Sequence, residues 1–379
     1  MGVFEDSIGV FLHPIKDFLS DESVSEILIN GPKEIYIEKS GRLERVQNQF
    51  HDEQSLQAAV RNIAQFVGRK IDENSPILEA RLPDGSRIQA VFPPCARSGT
   101  TVSIRKFSKN TVTFIDLIKH GAISKPAARF LDICVYLGKN IIISGGTGSG
   151  KTTFLNVLGS RIPKNQRLLV IEDSSELQVE TEHCIYFEAR HPNENGEGEV
   201  LIRDLIRSAL RLRPDRIVLG EVRGAESLDL VTAMNTGHGG SMGTIHANSP
   251  YDALVRLETL SMMENTSIPI HAIRQQIASA IHLVVQLSRM DDGSRKIVSI
   301  AEVLCDMDEK DHYQVREIFK FVQKGIAKDK KVVGEMVPTG EIPSFIDEIE
   351  VNRLPFDLSN FEAPEWAKKV FKHSKSRAA

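Results

Sequence analysis

Ile141-Ile142-Ile143-Ser144-Gly145-Gly146-Thr147-Gly148-Ser149-Gly150-Lys151-Thr152-Thr153 sets three branched apolar residues directly before a glycine-rich loop that ends in Lys-Thr-Thr. The isoleucines read as a strand buried on both faces. The loop fills every position of the pattern G-x-x-x-x-G-K-[ST]. In such a loop successive backbone N–H groups turn inward around phosphate oxygens, Lys151 reaches the β- and γ-phosphates, and the Thr152 hydroxyl ligates Mg²⁺. Thr153 to Leu158 continues as a helix whose N-terminus directs its partial positive charge at the anion. A nucleoside triphosphate is the expected ligand, cradled by Gly145, Gly146, Thr147, Gly148, Ser149, Gly150, Lys151, Thr152 and Thr153.

The length of 379 residues suits two or three domains with a sizeable core. A formal net charge of −4 with 26% charged residues does not fit a basic nucleic-acid binder, so no direct nucleic-acid binding is expected. No apolar stretch is long enough to span a bilayer, and Met1-Gly2-Val3-Phe4-Glu5-Asp6 lacks the basic region of a secretory signal, which points to the cytoplasm. Cys95, Cys134, Cys184 and Cys305 are scattered and form no C-x-x-C pair, so neither a zinc ribbon nor a disulfide framework is indicated.

Upstream of the loop the pattern is α+β. A weak helical pattern over Asp6 to Ser20 leads to a strand at Val24 to Ile29. A hairpin follows, Glu34 to Glu38 and Arg42 to Val46 across Lys39-Ser40-Gly41, and then a helix at Glu53 to Val67. A second hairpin flanks Pro83-Asp84-Gly85, and Thr101 to Phe107 closes the region as a strand. Strands joined by tight turns are antiparallel. The expected organisation is an N-terminal α+β domain over 1–108, a hinge or linker over 109–122, an α/β domain with a mainly parallel sheet over 123–332, and a C-terminal appendage over 333–379. Within the α/β domain, Arg167 to Ile171 and Arg216 to Gly220 read as buried parallel strands. His282 to Ser288, Ser294 to Leu304 and Tyr313 to Phe321 read as later strands at an antiparallel edge.

Two acidic sites follow core strands, where open α/β sheets place ligand groups. They are Glu172-Asp173 and Glu221. A phosphate-loop enzyme needs a carboxylate to organise Mg²⁺ and a polar group to orient the attacking water. Glu221 or Glu172 suits the second task, while Asp173 is either a ligand group or a turn cap. Thr236 to Asn248 sets His238 and His246 around a glycine-rich turn and a short strand, where imidazole N–H groups can contact or sense a γ-phosphate. Between Val200 and Pro214, Arg203, Arg207 and Arg211 follow i, i+4, i+8 on one helix side. Such a row is a solvated face, a subunit interface or a site for an acidic partner.

With these boxes in place, the sequence resembles the secretion ATPase superfamily of type II and type IV systems, and most closely its tight-adherence (Flp) pilus assembly branch. The resemblance runs from about Leu19 to Phe361. It rests on Glu26 to Pro32, Gly145 to Thr153, Ile171-Glu172-Asp173, Arg211 to Gly224 and the histidine box Thr236 to Asn248. It implies a RecA-like P-loop ATPase domain preceded by a PAS-like N-terminal domain, MgATP as the ligand, and a homohexamer docked on an inner-membrane platform protein at the cytoplasmic face. It also implies that N-terminal-domain arginines approach the terminal phosphate; the matching positions are Arg87 and Arg105, with Arg81 as a weaker candidate. By the same resemblance Glu221 and Glu172 organise water and metal together with Thr152, and His238 and His246 report on the γ-phosphate. A motor for pilus assembly or protein secretion is the expected function, with a conjugation-type motor or a scaffold that hardly hydrolyses ATP as alternatives. Two departures from the resemblance stand out. The four-cysteine zinc module of other branches is missing, and only Met1 to Ser20 precedes the first domain.

Overall fold

The computed structural model describes residues 12–39, 41–82, 84–106, 112–190, 192, 196–263 and 267–378, with side chains as far as 371. Parts of the sequence reading lie outside these residues: Asp6 to Phe11, the turn residues Ser40 and Pro83, Phe107 and Ser108 at the end of the first domain, and residues 109–111 of the hinge. The chain divides into two units, 1–110 and 111–379.

In the first unit six strands form one antiparallel sheet. They are β1 (Val24–Asn30), β2 (Ile35–Lys39), β3 (Arg42–Val46), β4 (Ile77–Arg81), β5 (Arg87–Val91) and β6 (Thr101–Arg105), in the order β3-β2-β1-β6-β5-β4. A short helix α1 (Lys16–Ser20) precedes β1, and α2 (Glu53–Phe66) lies between β3 and β4. The α2 helix starts at a capping box, with Asp52 accepting from the Ser55 N–H and Ser55 Oγ accepting from the Asp52 N–H. Its Leu56, Val60 and Ile63 stripe joins Ile27, Ile29, Ile88 and Ile104 in one core. Period-two alternation leaves the other sheet face to Glu26, Arg87, Gln89, Ser103 and Arg105.

The second unit carries a nine-stranded sheet in the order β15-β14-β13-β12-β7-β11-β10-β8-β9. Six strands are mutually parallel: β7 (Ile141–Gly145), β8 (Leu168–Glu172), β9 (Cys184–Glu188), β10 (Arg216–Leu219), β11 (Met242–Ile245) and β12 (Leu283–Arg289). The antiparallel part is β13 (Arg295–Leu304), β14 (Gln314–Ile326) and β15 (Val332–Pro338). β12 is thus parallel to β7, and the reversal comes only at β13. Helices follow as α3 (Phe114–Lys119), α4 (Lys125–Tyr136), α5 (Lys151–Gly159), α6 (Ile202–Ala209), α7 (Glu226–Asn235), α8 (Pro250–Ser261), α9 (Ile270–Ala280), α10 (Ile346–Val351) and α11 (Glu365–Ala378). Alternation splits the core between the two sheet faces: Ile141, Ile143, Leu168 and Val170 pack with α4 and α5, while Ile142, Leu169, Ile171 and Leu219 pack with α6 to α9. This two-sided cover is why these strands read as continuous apolar runs.

Two expected boundaries fall inside packed structure. α3, expected in the linker, sets Phe114, Leu117 and Ile118 against the core that holds Ile141. The expected appendage begins within β15, and its Phe345, Ile349 and Phe361 are buried in that same core, with Phe130 ringed by Phe319, Phe345, Phe356 and Phe361. The segment 333–379 is therefore corrected from an appendage to part of the second unit. Polar residues between its widely spaced aromatics hide the apolar face. Among the described residues no helix is long and apolar enough to cross a membrane.

Candidate phosphate-binding site

The central strand β7 delivers its carboxyl end into the glycine loop. A Cβ on Gly145 would stand 2.6 Å from the Leu287 carbonyl oxygen of β12, so the sheet itself forbids a side chain there. Gly148 and Gly150 take φ of +70° and +95°, the left-handed region that favours glycine. Gly150 is the N-cap of α5 and supplies no side-chain cap, which leaves the first helical N–H groups to an external acceptor. Ser149 Oγ donates to Gly146 O at 2.8 Å and tightens the loop.

Lys151 is only 8% exposed. Its Nζ donates to Gly145 O at 2.9 Å and Gly146 O at 3.0 Å. Among the described residues no carboxylate comes within ion-pair distance of it, and burial holds its pKa below the usual lysine value. A buried cation at an uncapped helix start, with carbonyls as its hydrogen-bond acceptors, is a site made for an anion.

β11 runs beside β7 with Ile245 opposite Ser144, so the next residue, His246, arrives at the loop. Its ring nitrogens lie 3.4 and 3.5 Å from Lys151 Nζ, and Nε2 lies 2.9 Å from Glu221 Oε1. The tautomer that suits both neighbours carries its proton on Nε2, the nitrogen nearer the carboxylate, and offers Nδ1 to the lysine. Burial, then the Lys151 charge, hold its pKa below the ordinary histidine value. Glu221, two residues past β10, receives Arg223 on Oε2, with Nε at 2.8 Å and Nη2 at 2.6 Å. Arg223 Nη1 then reaches Asp173 Oδ2 at 2.9 Å, which makes Asp173 an ion-pair partner. A chain from Lys151 through His246, Glu221 and Arg223 to Asp173 thus spans the ends of four adjacent strands. Thr152 follows Lys151 in the first turn of α5. A hydroxyl and a carboxylate are hard oxygen donors of the kind Mg²⁺ selects, so Thr152 and Glu221 fit that ion chemically.

Two expected residues are placed otherwise. His238 precedes β11 and lies at the sheet end opposite the loop, about 13 Å of strand from His246 at ~3.3 Å per residue. Its neighbour Gly240 donates to Asn140 Oδ1, at the start of β7. The γ-phosphate role of His238 is therefore corrected: a strand running through the box separates its two histidines. Glu172 is 3% exposed, and its Oε1 accepts the N–H groups of Glu176 and Leu177 at 2.8 and 2.9 Å. Burial pushes its carboxyl up to about 7. It closes the 172–177 loop, which distinguishes it from Glu221.

In the first unit, Arg87 stands directly opposite Arg105 on β6 and Arg81 on β4. Three guanidinium-bearing positions therefore form one row across neighbouring strands. The two remaining arginines of the α6 row that the structure pairs, Arg203 and Arg207, both reach Asp229 of α7, at 2.9 and 3.2 Å. Sequence reasoning missed the bridging role of Arg223, although it lies two residues after Glu221, and missed Arg295, which reaches Gly148 from a distant hairpin.

A parallel sheet with a phosphate loop on its central strand, and carboxylate and histidine at neighbouring strand ends, defines a P-loop NTPase domain. The chain belongs to the family described as Type II/IV secretion system protein, whose model matches residues 11–347. A Mycobacterium tuberculosis protein whose name assigns it to conjugal transfer is 34% identical over 293 residues, covering 76% of this chain and 83% of that protein. The type IV secretion system protein PtlH of Bordetella pertussis is 32% identical over 322 residues, covering 78% and 94%. The X-ray structure of the Yersinia pseudotuberculosis ATPase DotB, 16% identical, has a TM-score of 0.55 over 80% of this chain and 79% of that chain, a likeness of fold.

Proposed function

We propose that the second unit binds MgATP at Gly145 to Thr153 and hydrolyses it, as the motor of a secretion-type assembly that drives pilus assembly or protein secretion across the cell envelope. The observation that carries this reading is Lys151, buried with no carboxylate in ion-pair distance among the described residues and within 3.5 Å of a histidine whose Nε2 stands 2.9 Å from Glu221 Oε1. Lys151 grips the phosphates. Bound Mg²⁺ would supply Lewis-acid withdrawal of charge from phosphate oxygens, with Thr152 and Glu221 as the residues to hold it. Glu221, oriented by Arg223, is the proposed acceptor for the attacking water, and His246 couples that carboxylate to the lysine. Glu172 shapes the adjoining loop.

The Arg81, Arg87 and Arg105 row is the proposed counterpart for the terminal phosphate. An arginine acting on a transferring phosphoryl group is worth about 10³ to 10⁵ in rate. The working form is a homohexamer on the cytoplasmic face of the inner membrane, docked on a platform protein. The names of the relatives favour a second reading, a conjugation-type or type IV motor that moves DNA or effectors. Neighbouring genes for prepilins and a prepilin peptidase, or instead for a relaxase, discriminate between the two. The enzyme reading is tested by steady-state phosphate release: Lys151→Ala and Arg87→Ala are expected to lose most of the activity, and a wild-type rate in Lys151→Ala sinks it.

A further inference from the structure

We propose that the β12–β13 hairpin braces the phosphate loop and that Arg295 is a positioning residue for nucleotide, acting through Gly148. The inference rests on the reading of this loop as an ATP site. Arg295 Nε donates to the Gly148 carbonyl oxygen at 2.9 Å, and its Cδ stands 3.3 Å from where a Cβ on Gly150 would lie. Arg289 pairs directly with Arg295 in the hairpin register and sets Nη1 3.5 Å from the Cβ position of Gly148. Two guanidinium groups therefore sit against the loop from the side of β12.

A phosphate loop binds by turning N–H groups inward, which turns the matching carbonyls outward. Because a peptide is planar and trans, fixing the Gly148 carbonyl also fixes the direction of the Ser149 N–H. That N–H makes only a long 3.4 Å bond to Gly146 O, easily exchanged for a phosphate oxygen. Arg295 holds the outer half of this peptide and so aims its inner half.

The hairpin can bear that load because it is tied at two further points. Asp292 accepts the Ser294 N–H at 2.8 Å and the Val332 N–H at 2.7 Å, which fastens the turn to the start of β15. Lys296 donates to Gly121 O at 2.7 Å, in the turn between α3 and α4. Adjacent strand residues face opposite ways, so Arg295 and Lys296 join the phosphate loop and the α3–α4 turn to one strand end.

The test is titration of MgATP and MgADP into the full-length wild type, Arg295→Ala and Arg295→Lys, with KM and kcat measured alongside. Arg295→Ala is expected to weaken both nucleotides about three- to tenfold, the value of one net hydrogen bond, and to raise KM more than it lowers kcat. Arg295→Lys, whose ammonium can still donate to a carbonyl, restores most of the affinity. A purely structural arginine would instead lower the unfolding midpoint without that rescue. Wild-type affinity for both nucleotides in Arg295→Ala overturns the brace while leaving the ATP site standing. A wild type that binds neither nucleotide removes both.

Discussion

His246 Nε2 lies 2.9 Å from Glu221 Oε1, so the end of β11 meets the end of β10 in a close histidine–carboxylate pair just where both border the phosphate loop. The pair gives Glu221 a partner on the side facing Lys151. Arg223 occupies the other oxygen. Glu221 is therefore flanked on both sides, a preorganisation that suits its proposed role of positioning water.

Replacing Glu221 by Gln keeps the shape and removes the charge. The expected result is a fall in kcat of about 10² to 10⁴, the usual range for a positioned base, with MgATP affinity within a few-fold of wild type. Paired measurements of nucleotide binding and phosphate release check it. An equal loss of affinity and turnover would instead assign Glu221 to holding the metal alone and not to the attacking water.

Lys151 costs the protein stability, because burial opposes its charge more than the Glu221 carboxylate, which lies beyond ion-pair distance, supports it. Lys151→Met should raise the unfolding midpoint without nucleotide by about 2–6 °C, for a gain of about 1–2 kcal/mol, while abolishing nucleotide binding. Thermal unfolding with and without MgATP reads both effects. A midpoint equal to or below wild type would mean that the carbonyls, His246 and the Glu221 charge together outweigh the cost of burial.

The glycines of the histidine box are structural at the end remote from the loop. Gly240 has φ of +81°, and a Cβ there would meet Arg216 Nη1 at 2.5 Å. Arg216 is 1% exposed and bound to Val135 O, so it has no room to yield. Gly240→Ala should lower stability by about 3 kcal/mol or more and leave the MgATP affinity of the folded fraction unchanged. Denaturant unfolding with nucleotide titration checks this; a selective loss of ATP affinity at wild-type stability would return this end of the box to the phosphate site.

What was legible in the sequence follows the range of the interactions. The phosphate loop is local, so the residues around Lys151 stand in one segment with their strand and helix. Glu221 was legible because parallel strands end where ligands bind. His238 was misread because eight residues of sequence conceal a whole strand, which carries its two histidines to opposite sheet ends. The part of Glu172 was hidden because only the packed loop shows its Oε1 claimed by two backbone N–H groups. Arg295 gave no signal at all, since its closeness to Gly148 exists only once β12 has paired with β7.

Two groups shielded from solvent give the second unit opposing responses to acid. His282 Nδ1 accepts the Asn140 N–H at 3.0 Å, and burial pushes its pKa down to about 4. The folded state thus prefers the neutral ring, so its contribution is full above the unfolded value near 6.5 and is lost as pH falls toward 4. Glu172, pushed up to about 7, behaves oppositely: the folded state prefers the protonated acid, and stability is gained as pH falls from 7 toward the unfolded value near 4.5. Between about pH 7 and pH 5 each amounts to about 2 kcal/mol, and the two offset each other. His282→Asn, which keeps an acceptor for Asn140, should therefore become more stable on acidification relative to wild type. Glu172→Gln, which keeps an acceptor for the loop, should become less stable. Urea unfolding at the two pH values measures both differences; parallel behaviour of both variants and wild type would show that neither group titrates differently on folding.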